Sequence, residues 1–229
     1  MSTITTALRL RRYTMGAALI LFPALLVAQA AVDPGDGDTA EEMYAAASQH
    51  VNLHVASALL LLISGVLMAP AVAGILHQAR DRGAALANVA AVLAVLGGFG
   101  HAAIALYVLF TLSLAGGEPT QMVAYVDRLN ASVPVNAVAF PLIFCFGLAV
   151  LTMAWSAWRA GLIGWWAPAV VTALVLAHVL LPDPPAATEL VSMIVLTVVF
   201  GLLGWRILRM TDTQWTGVRP VETPIPAHA

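Results

Sequence analysis

Hydrophobic and polar positions along this chain fall into long blocks. Six apolar runs, near 15–32, 51–76, 84–115, 134–158, 163–181 and 189–208, are separated by short polar segments. Each run reaches or approaches the roughly 20 residues a helix needs to cross about 30 Å of hydrocarbon. The ten-residue alternation of a membrane barrel is missing from the pattern. Helices satisfy their own backbone hydrogen bonds in lipid, so the pattern predicts an all-α fold. We read 1–229 as one integral membrane domain, a bundle of six transmembrane helices.

The polar segments carry their own signals. Thr39 followed by Glu42 is a capping box that starts a short helix before the second run. Pro119 at a first turn predicts a second short helix over 119–130, lying at the outer surface. Pro182-Asp183-Pro184-Pro185 reads as a tight turn between the last two spans. The acidic stretch from Asp33 to Asp38 lacks the acid spacing of an EF-hand and reads as a solvated linker.

Charge adds an orientation. Only 10% of residues are charged and 61% are hydrophobic, where soluble domains carry roughly 25% charged residues. There is no Lys, and nine of the ten Arg fall in segments that share one side of a six-span bundle. Nine of the twelve acidic residues fall on the other side. The arginine side is cytoplasmic by the positive-inside rule, which places both termini inside and the protein in the cell membrane, a bacterial inner membrane. All six Trp cluster near that same interface. Net charge is only −2, so no nucleic-acid partner is expected. Exclusive use of Arg suggests a GC-rich bacterial genome. Cys145 is the single cysteine and cannot form an internal disulfide. The Arg-rich start and Ala28-Gln29-Ala30 also fit a cleavable secretory signal, which would leave five spans. The uncleaved first span is the preferred reading.

Candidate chemistry gathers on the acidic side. His50 and His54 begin the second run one turn apart, and their face extends through Glu42, Ala46, Ser57 and Ser64. Such a stripe should face the bundle interior, because lipid would not solvate it. His101 lies deeper, roughly 12–20 Å by rise from the outer end of the third run. Its face is small, with Ala90, Ala94, Gly97 and Ala105, which lets a helix or a flat ligand approach. His178, Glu189, Ser192 and Asn136 sit near the outer ends of their runs. Together they predict a polar funnel open to the outside with His101 at its floor. His77 and His228 fall inside and read as interfacial or tail residues.

Three functions fit. One is acid–base chemistry on a lipid-soluble substrate in the outer pocket. A carboxylic acid in an apolar site keeps its proton, because desolvation disfavours the charged form, and it can then protonate an alkene or epoxide. Glu189, Glu42 and Asp183 are the candidate acids, with His54 and His101 as base or orienting partner. In size and helix count the chain resembles bacterial membrane-bound cyclases that fold the prenyl groups of meroterpenoids. It equally resembles small polytopic membrane proteins of GC-rich bacteria. The first resemblance implies terpene or isoprenoid cyclisation without a cofactor.

A second possibility is a redox role with haem b held by two of His54, His101 and His178, or a bare metal at His50, His54 and Glu189. The third is a non-catalytic lipid-binding, transport-accessory or scaffold role.

Overall fold

The structure, a computed structural model, describes residues 2–35, 39–80, 82–114, 116–180 and 186–217. Among them there is no strand. The helices are α1 (Ser2–Val32), α2 (Ala40–Gln49), α3 (Val51–Gln78), α4 (Ala84–Leu114), α5 (Pro119–Asn130), α6 (Val133–Arg159), α7 (Trp166–Leu180), α8 (Ala186–Leu208) and α9 (Asp212–Thr216). Five of these, α1, α3, α4, α6 and α8, are long and apolar enough to cross a membrane. The fifth run departs from its expected bounds. Its helix α7 has 15 residues and is about 22 Å long.

The late start of α7 has a local cause. Gly161 adopts φ +72°, and two bonds close a Schellman motif over the end of α6. The Gly161 amide donates to the Trp158 carbonyl and the Leu162 amide to the Ala157 carbonyl, both at 2.9 Å. Pro168 then occupies the first turn of α7, where its missing N–H costs nothing.

Both short helices form. Thr39 and Glu42 make the expected reciprocal capping box on α2. Glu118 caps α5, accepting bonds from the Gln121 and Thr120 amides that hold its carboxyl below the usual range. Val126 of α5 is buried, and α2 packs on both α5 and α4.

Around the bundle the order is α8, α1, α3, α4, α6, α7, with neighbours antiparallel. Glycines set the closest approaches. A Cβ on Gly204 of α8 would lie 2.5 Å from the Gly16 carbonyl oxygen of α1. A Cβ on Gly98 would lie 2.8 Å from the Gly65 carbonyl oxygen, and one on Gly97 would lie 2.7 Å from Cα of Phe146. Lipid supplies no hydrophobic force between helices, so this close van der Waals packing is what joins them. The main core fills the arginine-rich half, with Leu19, Phe22, Met68, Ile75, Met153 and Phe200 essentially sealed. Phe22 of α1 meets Phe200 of α8 edge-on at 5.2 Å between ring centroids. Ala18, Leu19, Phe22 and Leu26 of the first span are therefore core, and signal cleavage after Ala30 would remove them.

The chain's two described ends meet at the arginine-rich end. Asp212 of α9 takes bonds from Arg9 and Arg12 of α1, each at 2.9 Å. His77 stacks on Trp215, with ring centroids 4.1 Å apart. His77 thus sits at the arginine-rich end of the bundle, whereas His228 lies outside the described residues.

Two predictions follow from this packing. Gly97→Ala and Gly204→Ala should each lower thermal stability in detergent by about 1–3 kcal/mol, since backbone must move to admit the methyl group. Gly201→Ala, which meets nothing within 4 Å, should leave the melting temperature unchanged or slightly raised. The second concerns Asp212, whose carboxyl is held below its ordinary value first by the Arg9 hydrogen bond. A depressed carboxylate adds stability above its unfolded pKa of about 3.9 and loses it as pH falls through the lower folded value. Melting curves from pH 7 to 3 should show a fall beginning near pH 4, and Asp212→Asn should flatten part of it.

Candidate functional site

The five long apolar helices and α7 surround a cavity in the half opposite the arginines. Its volume is about 470 Å³, within the roughly 300–1,000 Å³ of small-molecule sites. All of α1, α3, α4, α6, α7 and α8 contribute to its wall. The polar lining is Gln29, His101, His178, Glu189 and Ser192, and the rest is apolar.

The cavity exists because two helices part. Every buried residue of α6 lies from Ala149 onward, and every buried residue of α7 lies at or before Val171. From 133 to 148 and from 172 to 180 none is buried. Polar ties pin α7 at the arginine-rich end alone. Trp155 Nε1 donates to Thr172 Oγ1 at 3.1 Å, and Arg206 of α8 donates to the Leu162 carbonyl at 2.9 Å. Beyond these ties α6 and α7 diverge. Phe144, Leu148 and Val179 line the cavity and are also 60, 45 and 59% exposed. The expected polar funnel is thus an apolar cleft with a few polar groups, open on its side between α6 and α7.

His101 sits within the cavity wall as expected and is 9% exposed. Phe146 of α6 meets its ring edge-on at 4.3 Å. Its Nδ1 is buried and makes no hydrogen bond of good geometry, the Gly97 carbonyl of its own helix being the one backbone group close enough to interact with the ring. The small face around it serves packing on both sides. Gly97 and Gly100 abut the backbone of α6, and Gly98 abuts that of α3. These glycines therefore leave no slot of their own for a flat ligand.

The other candidates divide. His178, on the α7 wall, is exposed, with Nδ1 3.1 Å from the Leu174 carbonyl oxygen of its own helix. Glu189 is exposed in the first turn of α8, at the cavity rim. His54 is buried but lies elsewhere, under α2 and against Tyr107 and Thr111 of α4. The gap beside it is about 10 Å³, room for no more than a water molecule. Glu42 is exposed, and its carboxylate accepts the Thr39 amide at 3.1 Å. Asp183 and its proline turn lie outside the described residues, as do Asp36 to Asp38.

Three expectations need correction. The stripe from Glu42 to Ser64 is not one helix face, because the chain breaks at His50, with φ −124° and ψ 37°. Only His54, Ser57 and Ser64 keep the inward placement, with the Ser64 hydroxyl donating to the Phe22 carbonyl at 2.8 Å. Asn136 does not face the cavity. It donates to the Asn130 carbonyl at 2.7 Å and ties α5 to α6. Nor does one site gather His50, His54 and Glu189. Among the described residues no three His, Cys, Asp or Glu side chains are placed to hold a metal ion.

The sequence reading passed over Gln29 and Asp33. Gln29 Nε2 donates to Asp33 at 2.6 Å and to Ser57 at 3.0 Å, and the Ser57 hydroxyl donates to Asp33 at 3.0 Å. The signal was the i, i+4 spacing of two polar residues at the end of an apolar run. Phe146 carried no signal at all.

No family model, curated protein or solved structure matches this chain.

The separation of His54 and Glu42 from the cavity generates a prediction. Glu42→Gln keeps a residue able to close the capping box, so its melting temperature should stay within about a degree of wild type. His54→Ala leaves a void between α2, α3 and α4 and should destabilise by about 1–3 kcal/mol, as burial-site truncations do. Thermal denaturation of both variants in one detergent checks this.

Proposed function

We propose that the chain is a six-span membrane protein, with both termini cytoplasmic, whose outer-half cavity takes a lipid-soluble small molecule and does acid–base chemistry on it. The observation that carries this reading is convergence: Glu189, His101, His178 and Ser192 line one cavity whose remaining wall is apolar. Five helices already have spanning length and apolarity. In this reading α7 is the additional, sixth span, and every arginine but Arg128 faces the cytoplasm.

In the proposed chemistry Glu189 protonates an alkene or epoxide carbon of an isoprenoid chain, and a bound chain would cover it from water. His101 accepts or orients the proton leaving the cyclised product. The support is the residue types and their shared wall, together with the likeness in layout to prenyl-folding membrane cyclases. Glu42 and His54 have no part in this version, since they line other surfaces.

The test is conversion of prenylated aromatic substrates, with and without a terminal epoxide, by the purified protein in detergent. General acid–base groups contribute about 10²–10⁴ in rate, so Glu189→Gln and His101→Ala should each lose at least roughly a hundredfold. Glu42→Gln should keep the wild-type rate. Full product formation by both Glu189→Gln and His101→Ala, in protein that melts normally, would sink the assignment.

One observation favours a second reading. His101 and His178 are the only anticipated pair of haem ligands that share the cavity. A Soret band that shifts on reduction, in protein made with ample haem, would establish a haem b there. A featureless spectrum would remove it.

A further inference from the structure

The cavity has two kinds of wall, and they face different surroundings. Gln29, His101, Glu189 and Ser192 stand on α1, α4 and α8. The opposite side is Ile143, Phe144, Gly147 and Leu148 of α6 with Leu174, His178 and Val179 of α7, apolar but for His178. That side continues onto the outer surface of the bundle, where Ile143, Phe144, Leu148 and Val179 are exposed. In a bilayer this surface meets acyl chains, so the cleft is continuous with lipid.

We infer that the cavity is filled sideways from the bilayer, through the cleft between α6 and α7, by an uncharged single-chain amphiphile whose hydroxyl head meets His101. This rests on the cavity being a ligand site, as proposed above, and adds the route and the ligand class.

The head group follows from the lining. His101 is a sealed imidazole with one nitrogen that makes no hydrogen bond of good geometry. Leaving such a group unsatisfied in an apolar wall is costly, and a ligand's hydrogen bond would recover that cost. A neutral imidazole offers one donor and one acceptor, and the tautomer decides which nitrogen is which. A hydroxyl complements either tautomer, because it both donates and accepts. A carboxylate can only accept, so it suits one tautomer of the imidazole and not the other. A bare hydrocarbon leaves the imidazole unpaired. Ser192, buried on α8, adds a second hydroxyl to the same wall.

The chain follows from the shape. Gly147 of α6 lines the cavity, and a Cβ built on it meets nothing within 4 Å. The space beside it is vacant, unlike that beside Gly97 or Gly100 on the facing helix. A methylene chain laid between α6 and α7 would occupy it.

The experiment uses the full chain in lipid nanodiscs and three probes of equal length: a C15 isoprenoid alcohol, the matching carboxylic acid and the matching hydrocarbon. Each carries a diazirine near the middle of its chain. Peptide mapping after photolysis should place the alcohol on the outer halves of α6 and α7 and on α4 beside His101. The acid and hydrocarbon should label there about tenfold less. Gly147→Leu plugs the vacancy without touching backbone and should cut alcohol labelling at least tenfold. Gly201→Leu, which also meets open space but does not line the cavity, should label as wild type. His101→Leu should erase the preference for alcohol over hydrocarbon while retaining chain labelling.

The inference is overturned if the acid labels as well as the alcohol. It is also overturned if a folded Gly147→Leu labels normally, or if labels fall on α2 and α5 instead. Should Gly147→Leu fail to fold, the wild-type map and the three-probe ranking decide by themselves. Specific alcohol labelling without any turnover supports this inference and sinks the acid–base chemistry. Turnover with no labelling of the α6–α7 cleft does the reverse.

Discussion

Close backbone approach at glycine is the constraint on which the bundle depends. Helices in lipid gain nothing by hiding apolar side chains from one another, so contact must come from fit. Four antiparallel pairs achieve it: α8 with α1, α1 with α3, α3 with α4, and α4 with α6. Gly16 and Gly204 serve the first pair, Gly74 presses on Met15 in the second, Gly65 and Gly98 serve the third, and Gly97 and Gly100 the fourth. No glycine occurs in α7. The one glycine of α6, Gly147, faces open space. The ring of six is therefore zipped along four seams and held at only one end along the remaining two.

The cavity is a consequence of that uneven zipping. His101 sits one turn beyond Gly97 on α4, where the close contact with α6 ends in the ring of Phe146. Beyond that point the seam between α6 and α7 is open, and the far end of α4 is covered by α2, with Tyr107 reaching α5. The Tyr107 hydroxyl donates to Asn130 at 2.9 Å, and Tyr44 reaches the Gly117 carbonyl at 3.2 Å. These ties hold the two short helices as a brace over α4. The polar groups of the site are thus positioned by rigid elements on one side and left uncovered on the other.

Much of this could be read from sequence, for physical reasons. Five spans were legible because length and apolarity alone define them, and the capping box at Thr39 and Glu42 formed as its spacing required. That His101 lies well inside its helix was legible because rise per residue is fixed. What could not be read was helix order around the ring, which depends on complementary surfaces and leaves no periodic trace. His54 and His101 looked like partners in one funnel, yet they face different spaces because α2 folds back over His54. The break at His50 was hidden by an unbroken helical polar stripe. The delayed start of α7 was hidden by apolar residues, since Ile163 reads as membrane whether or not Gly161 has already turned the chain.

The short α7 bears on why the site lies where it does. Its 15 residues span about 22 Å, against roughly 30 Å of hydrocarbon. In the six-span reading, Trp165 and Trp166 anchor its start at the arginine-rich interface. Its other end then stops short of the opposite surface, or the bilayer thins to meet it. Either way the end of α7 that carries His178 leaves the cavity wall incomplete beside the cleft. A longer α7 with glycines to match Gly147 would seal the seam and give a more stable bundle with no access from lipid.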